Sequence, residues 1–69
     1  MKPRQIFNNS HYNACVFYRG EELLLAVSCN RRQFGYYLEG EKAIEWADAI
    51  EHETDRDIQH ALCGAIINS

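Results

Sequence analysis

Proline, glycine and long apolar runs are all scarce in this 69-residue sequence, and each shortage excludes a class of protein. With one proline, four glycines and 46% hydrophobic residues, the composition is that of a folded domain rather than a disordered chain. No apolar run reaches the roughly 18 residues that a membrane-spanning helix needs, so we expect no membrane span. The length excludes a dinucleotide-binding domain, a TIM barrel and a two-domain enzyme. We therefore expect one small globular domain.

The count and spacing of the cysteines predict free thiols. The three cysteines are Cys15, Cys29 and Cys63, an odd count at wide spacings that does not indicate a disulfide framework. The first residues are basic but no apolar segment follows them, which is not the pattern of a secretory signal. We expect a cytoplasmic protein, in which thiols stay reduced.

Residues 12–38 predict a three-stranded antiparallel meander. Tyr12–Arg19 and Glu22–Cys29 are rich in β-branched, aromatic and aliphatic residues, and Gly20 between them favours a type II′ hairpin. The third strand, Phe34–Leu38, follows a weaker turn signal. The two turn lengths predict that Arg19 faces Glu22 across the first hairpin and that Cys29 faces Phe34 across the second.

Residues 1–11 have no clear periodicity, so we treat them as an N-terminal arm before a single α+β domain at residues 12–69. Two alternatives stay open for this arm. It is either mobile, or it is fixed onto the domain through Ile6 and Phe7.

The alternation of residues along the three strands predicts two faces of different character. One face is apolar throughout and predicts the core. The other has a polar rim but an apolar centre, which we call the outer sheet patch: Cys15, Phe17, Leu24, Ala26 and Tyr37. An exposed patch of this kind marks an interface. The N-terminal arm, a second copy of the chain and a different protein are the three candidate occupants.

Helical periodicity follows from residue 41 to residue 67. In the first part, the apolar positions with helical spacing are Ala43, Trp46, Ala47 and Ile50. In the second part, they are Ile58, Ala61, Leu62, Ala65 and Ile66. Thr54 followed by Asp57 favours a helix cap, so we expect a break near residues 53–54. The predicted architecture is therefore βββαα, with two helices packed on one sheet face and Trp46 as the main core anchor. The alternative is one long helix that overhangs the sheet.

Negative charge is concentrated on the first predicted helix, within a chain of formal net charge −3. Five acidic residues three or four apart form what we call the acidic stripe: Glu41, Glu45, Asp48, Glu51 and Asp55. Such a stripe is either a solvated surface or a docking surface for a basic protein, for example the nucleic-acid-binding groove of an enzyme. The same stripe would repel DNA or RNA.

Three arginines, Arg19, Arg31 and Arg32, support an alternative function as a small nucleic-acid-binding regulator. Exposed sheet aromatics beside arginine can stack unpaired bases. The glycine-aromatic signature of an RNA-recognition motif is absent, however, and the order of strands and helices is wrong for that fold.

The sequence predicts neither a metal site nor a catalytic site. His60 and Cys63 lie one helical turn apart, as two zinc ligands would, but a structural zinc site needs four ligands. His52 and Cys29, the nearest further candidates, have no supporting spacing. A Cys63–His60 catalytic pair lacks a third orienting group and an oxyanion loop. We therefore expect no cofactor and no enzymatic activity.

The sequence thus favours a small non-enzymatic interaction protein. We expect an inhibitor or modulator that binds a larger protein through the acidic stripe, the outer sheet patch or both. Accessory proteins of phages and mobile elements that inhibit host nucleic-acid enzymes or defence complexes are similar in kind, being small, acidic and poor in motifs. That similarity rests on no shared motif.

Overall fold

Four antiparallel strands and two helices make up the fold, and a computed structural model describes it over residues 2–32 and 34–69. The elements are β1 Arg4–Asn8, β2 Tyr12–Arg19, β3 Glu22–Cys29, β4 Phe34–Leu38, α1 Gly40–His52 and α2 Arg56–Ile67. The strands lie in the order β1-β2-β3-β4. The α+β class and the two helices are confirmed, but the sheet has four strands rather than the predicted three.

The predicted register of the central strands is confirmed. Arg19 is opposite Glu22 across the first hairpin, and Cys29 is opposite Phe34 across the second. Gly20 has a φ of +65°, which is the left-handed conformation that the first central position of a primed hairpin turn requires. The turn lengths therefore sufficed to align β2, β3 and β4.

The additional strand, β1, lies within the segment that the sequence predicts as an arm. It pairs with β2, and the register shifts between Gln5 and Phe7, so that Ile6 is the extra residue of a β-bulge. The bulge places Phe7 opposite Ala14 on the core face, where Phe7 is 3% exposed. The segment thus extends the sheet at its edge and does not fold over the outer sheet patch.

Both helices pack on the predicted core face of the sheet. α1 lies mainly on β3 and β1, and α2 lies on β2 and β3. The largest fully buried side chains are Leu25, Val27, Ile50 and Cys63. Trp46 is only partly buried and packs at the margin of this core, so the prediction that it is the main anchor of α1 is wrong. Ile50 has that role.

The buried side of α2 differs from the predicted stripe. Ile58 is 46% exposed, and Ala61 and Ala65 also face solvent. The buried residues of α2 are Gln59, Cys63 and Ile66. The helix is therefore rotated about its axis relative to the prediction, and two contacts are consistent with this orientation. Gln59 bonds the end of α1, and Gly64 faces Tyr12 so closely that a Cβ on Gly64 would lie 3.3 Å from the Tyr12 hydroxyl oxygen.

The break between the helices falls where the sequence predicts it, but the cap is a different residue. Asp55, not Thr54, is the N-cap of α2, and its carboxylate accepts hydrogen bonds from the backbone N–H groups of Asp57 and Ile58. The Glu53 carboxylate accepts from the N–H groups of Thr54 and Asp55, at 3.1 Å each. The short connection is therefore held by its own acidic side chains.

Candidate functional site

The outer sheet patch is organised around an aromatic pair that spans β3. Phe17 on β2 and Tyr37 on β4 meet edge to face, with 6.1 Å between ring centroids. Leu24, on the strand between them, is only 4% exposed, whereas Tyr37 is 67% exposed. Leu24 therefore supports the patch from below, and the aromatic rings are what the patch exposes to solvent. Cys15 and Ala26 are half-buried beside them.

Two surface clefts flank the Tyr37 ring. The first has a volume of about 460 Å³ and is lined by Phe17, Tyr18, Arg19, Leu24, Tyr37 and Glu39. The second has a volume of about 410 Å³ and is lined by Pro3, Asn13, Cys15, Phe17, Ala26, Ser28 and Tyr37. The patch is thus a ridge between two hollows, a shape that can receive protruding side chains on both sides.

The rim of the first cleft carries paired charges. The Arg19 guanidinium lies 3.1 Å from the Glu22 carboxylate and 3.5 Å from that of Glu39. These neighbours raise the pKa of Arg19, with the hydrogen bond to Glu22 as the largest cause. Arg19 therefore stays charged and is paired with two carboxylates of its own chain at the exposed rim of the cleft.

The structure divides the acidic stripe into engaged and unengaged residues. Glu51 forms an ion pair with Arg4 on β1, and the hydrogen bond from Arg4 holds the pKa of Glu51 below its usual range. Asp48 lies 2.8 Å from Nδ1 of His52, and Asp55 caps α2. Glu41 and Glu45 are exposed. No ion pair involving either is found between described residues. Part of the acidic stripe therefore makes contacts that stabilise the fold, and part of it is free of such contacts among the described residues.

An exposed isoleucine that was not among the predicted site residues lies within this stripe. Ile44 on α1 is 55% exposed, and it lines a hollow of about 200 Å³ together with Tyr18, Asp48 and Glu51. Its position among acidic residues at helical spacing was the available signal. It makes this side of α1 less polar than its charges suggest.

The three arginines of the nucleic-acid alternative do not form one cluster. Arg19 is at the Gly20 turn, whereas Arg31 and Arg32 follow the opposite end of β3, about 25 Å away at roughly 3.3 Å per residue. Arg31 and Arg32 line a cleft of about 520 Å³ that also includes His11, Tyr12, Cys29, Ile67 and Asn68. Neither Arg31 nor Arg32 has an ion pair in the part of the chain that is described.

His60 and Cys63 are both engaged within the fold, His60 by side-chain contacts and Cys63 by burial. Nδ1 of His60 lies 2.9 Å from the Asn9 amide nitrogen, and its ring centroid is 4.8 Å from that of Tyr12. Cys63 is fully buried, and this burial raises the pKa of its thiol to about 11. Within the described ranges, no three His, Cys, Asp or Glu side chains come together in a way that could hold a metal ion.

Among the residues that the structure describes, neither helix is long and apolar enough to cross a membrane. No protein-family model matches the chain, and neither a curated protein nor a solved structure matches it.

Proposed function

We propose that this chain is a non-enzymatic protein-binding domain that inhibits or modulates a larger protein by occupying part of its surface. The outer sheet patch is the contact surface, and Tyr37 is its centre. One observation carries the proposal. Tyr37 is 67% exposed beside Phe17, on a sheet face that the helices and β1 leave uncovered over residues 2–32 and 34–69.

Exposed aromatic pairs of this kind suit protein recognition because they bury a large area at a small cost in side-chain entropy. Leu24 is buried beneath the rings and the Phe17–Tyr37 contact is made within the chain, so the ridge does not need a partner to form it. An apolar side chain of the partner would enter the first cleft, beside the Phe17–Tyr37 pair. Polar groups beside it would meet Arg19 and Glu39 at the rim.

The acidic stripe has a supporting role in this proposal. Because Glu51 and Asp55 are engaged within the chain, the residues best placed to act on a partner are Glu41 and Glu45. Their field would raise the rate of association with a basic protein, and it would weaken with added salt. A basic nucleic-acid-binding groove on the partner fits this charge.

A paired substitution tests the proposal. Tyr37→Glu places a charge on the patch, and Ile58→Glu places the same charge on an exposed part of α2. We expect a protein that the unmodified chain captures to be captured also by the Ile58→Glu variant, but not by the Tyr37→Glu variant. Equal capture by both variants would contradict the proposal. Leu24→Asp is a poor probe because Leu24 is buried and its loss would unfold the domain.

The nucleic-acid alternative predicts a different result. A labelled single-stranded oligonucleotide would bind at about 50 mM salt, and binding would weaken with added salt. Arg31→Glu together with Arg32→Glu would abolish it. Such a result would favour a nucleic-acid-binding regulator over a protein-binding domain.

A further inference from the structure

The two edges of the sheet differ in how they are protected. At the β1 edge, Pro3 precedes the strand, Arg4 lies on it and the bulge at Ile6 interrupts its pairing. Proline, charge and bulges are the devices by which proteins prevent a further strand from adding to a sheet. The β1 edge is therefore closed to such addition.

The β4 edge has none of these devices. Its sequence is Phe-Gly-Tyr-Tyr-Leu, without charge or proline, and its register with β3 is continuous from Phe34 to Leu38. Within residues 2–32 and 34–69, β4 pairs with β3 alone. An uncharged, regular edge strand is a template for another strand.

The β4 sequence is complementary to itself when two copies run antiparallel. Pairing about the middle of the strand places Gly35 of one copy opposite Tyr37 of the other. Both residues belong to the outer face of the sheet, and Tyr37 is 67% exposed. Because Gly35 has no side chain, the strand of one copy can approach the Tyr37 of the other without a clash between outer-face side chains at this pair.

The charges that flank β4 favour the same arrangement. Arg31 and Arg32 precede the strand, and Glu39 and Glu41 follow it. Antiparallel pairing brings the basic end of each copy to the acidic end of the other, whereas parallel pairing would bring like charges together. Arg31 and Arg32 have no ion-pair partner among the described residues of their own chain.

We infer that the β4 edge binds a second copy of this chain, in antiparallel orientation, and joins two sheets into one of eight strands. The helices of both copies then lie on the same face. The two outer sheet patches become one continuous surface with two Tyr37 rings near its centre. The inference concerns a second copy and does not depend on the proposed larger partner.

Two complementary charge reversals test this inference by light scattering and native mass spectrometry. One variant carries Arg31→Glu and Arg32→Glu, and the other carries Glu39→Lys and Glu41→Lys. The unmodified chain should shift from its monomer mass of 8.0 kDa to twice that mass as its concentration rises. Each variant alone should dimerise about tenfold more weakly. An equimolar mixture should form the heterodimer, because opposite charges then meet at both ends.

The control variant carries Glu45→Lys and Asp48→Lys, an equal change of charge elsewhere on α1, and it should dimerise as the unmodified chain does. Circular dichroism checks that every variant is folded. An unmodified chain that stays monomeric up to about 1 mM would overturn the inference. A dimer that responds to neither reversal, or a mixture that forms no heterodimer, would do so too. This test reads the mass of the chain alone, whereas the proposed function is read from capture of a different protein by Tyr37→Glu and Ile58→Glu, so failure here is distinguishable from failure of the proposed function.

Discussion

Gln59 donates a hydrogen bond of 2.8 Å from its Nε2 to the backbone carbonyl oxygen of Ile50, and both residues are buried. Ile50 belongs to the last turn of α1, where carbonyl groups lack partners within the helix. The bond therefore satisfies one of these groups from the side chain of α2. It also fixes the rotation of α2, so that Gln59 faces the interior and Ile58 faces solvent.

Replacing Gln59 tests this account of the helix pair. Gln59→Leu leaves the Ile50 carbonyl buried without its partner, so we expect the free energy of unfolding to fall by about 1–3 kcal/mol. Ile58→Gln alters an exposed neighbour and should cost less than about 1 kcal/mol. Urea denaturation measures both. A larger loss at Ile58 than at Gln59 would mean that α2 buries the face predicted from periodicity.

Phe7→Ala tests whether β1 belongs to the fold. Phe7 is 3% exposed in the core, and truncation of a buried phenylalanine costs about 3–5 kcal/mol. That is comparable with the whole stability of a small domain, so the variant should be largely unfolded at 25 °C. Lys2→Ala, in the exposed residues before β1, is the control and should be neutral. A stable Phe7→Ala variant would indicate that the segment is a mobile arm.

The ion pair between Arg4 and Glu51 predicts a dependence of stability on pH. The hydrogen bond from Arg4 lowers the pKa of Glu51 below its ordinary value of 4.5, so the carboxylate stabilises the folded state above that pH. This contribution is lost as the pH falls through the lowered pKa. At low salt and pH 7, the melting temperature of the unmodified chain should be higher than that of Glu51→Gln. At acid pH, below the lowered pKa, the two melting temperatures should be equal.

Glu45→Gln serves as the control for that comparison, because Glu45 has no ion pair with a described residue. Its melting temperature relative to the unmodified chain should change little across the same pH range. A difference between Glu51→Gln and the unmodified chain that is independent of pH would show that the Arg4–Glu51 pair does not act electrostatically.

Burial of Cys63 predicts a protected thiol. Its pKa is raised to about 11 and its side chain is inaccessible, so the nucleophilic thiolate is almost absent near neutral pH. Brief alkylation at pH 8, followed by mass spectrometry of peptides, should leave Cys63 unmodified in the folded protein and modify it in urea. Rapid alkylation of Cys63 without denaturant would place it at the surface.

The parts of the fold that the sequence predicted are those governed by local rules. The Gly20 turn and strand alternation determine the register of β2 and β3 and the membership of the outer sheet patch. The bulge at Ile6 interrupts that alternation within residues 1–11, so β1 could not be predicted from it. The rotation of α2 depends on Gln59 reaching Ile50 of another helix, a contact that helical periodicity does not contain.

The candidate site was predictable to a similar extent. Period-two spacing placed Phe17 and Tyr37 on one face, but it could not show that their rings would meet across β3 and bury Leu24. The separation of Arg19 from Arg31 could have been read from the predicted register, since the two residues flank opposite ends of β3. The ion pair between Glu51 and Arg4 could not be predicted, because it depends on the position of Arg4, which the pairing of β1 determines.

The most direct test of the proposed function is the dissociation constant between this chain and the larger protein that it captures. It should be measured with purified proteins for the unmodified chain, Tyr37→Glu and Ile58→Glu. We predict that Tyr37→Glu weakens binding at least about tenfold, equivalent to about 1.4 kcal/mol, while Ile58→Glu changes it less than about twofold. Equal dissociation constants for the unmodified chain and Tyr37→Glu would contradict the outer sheet patch as the binding surface.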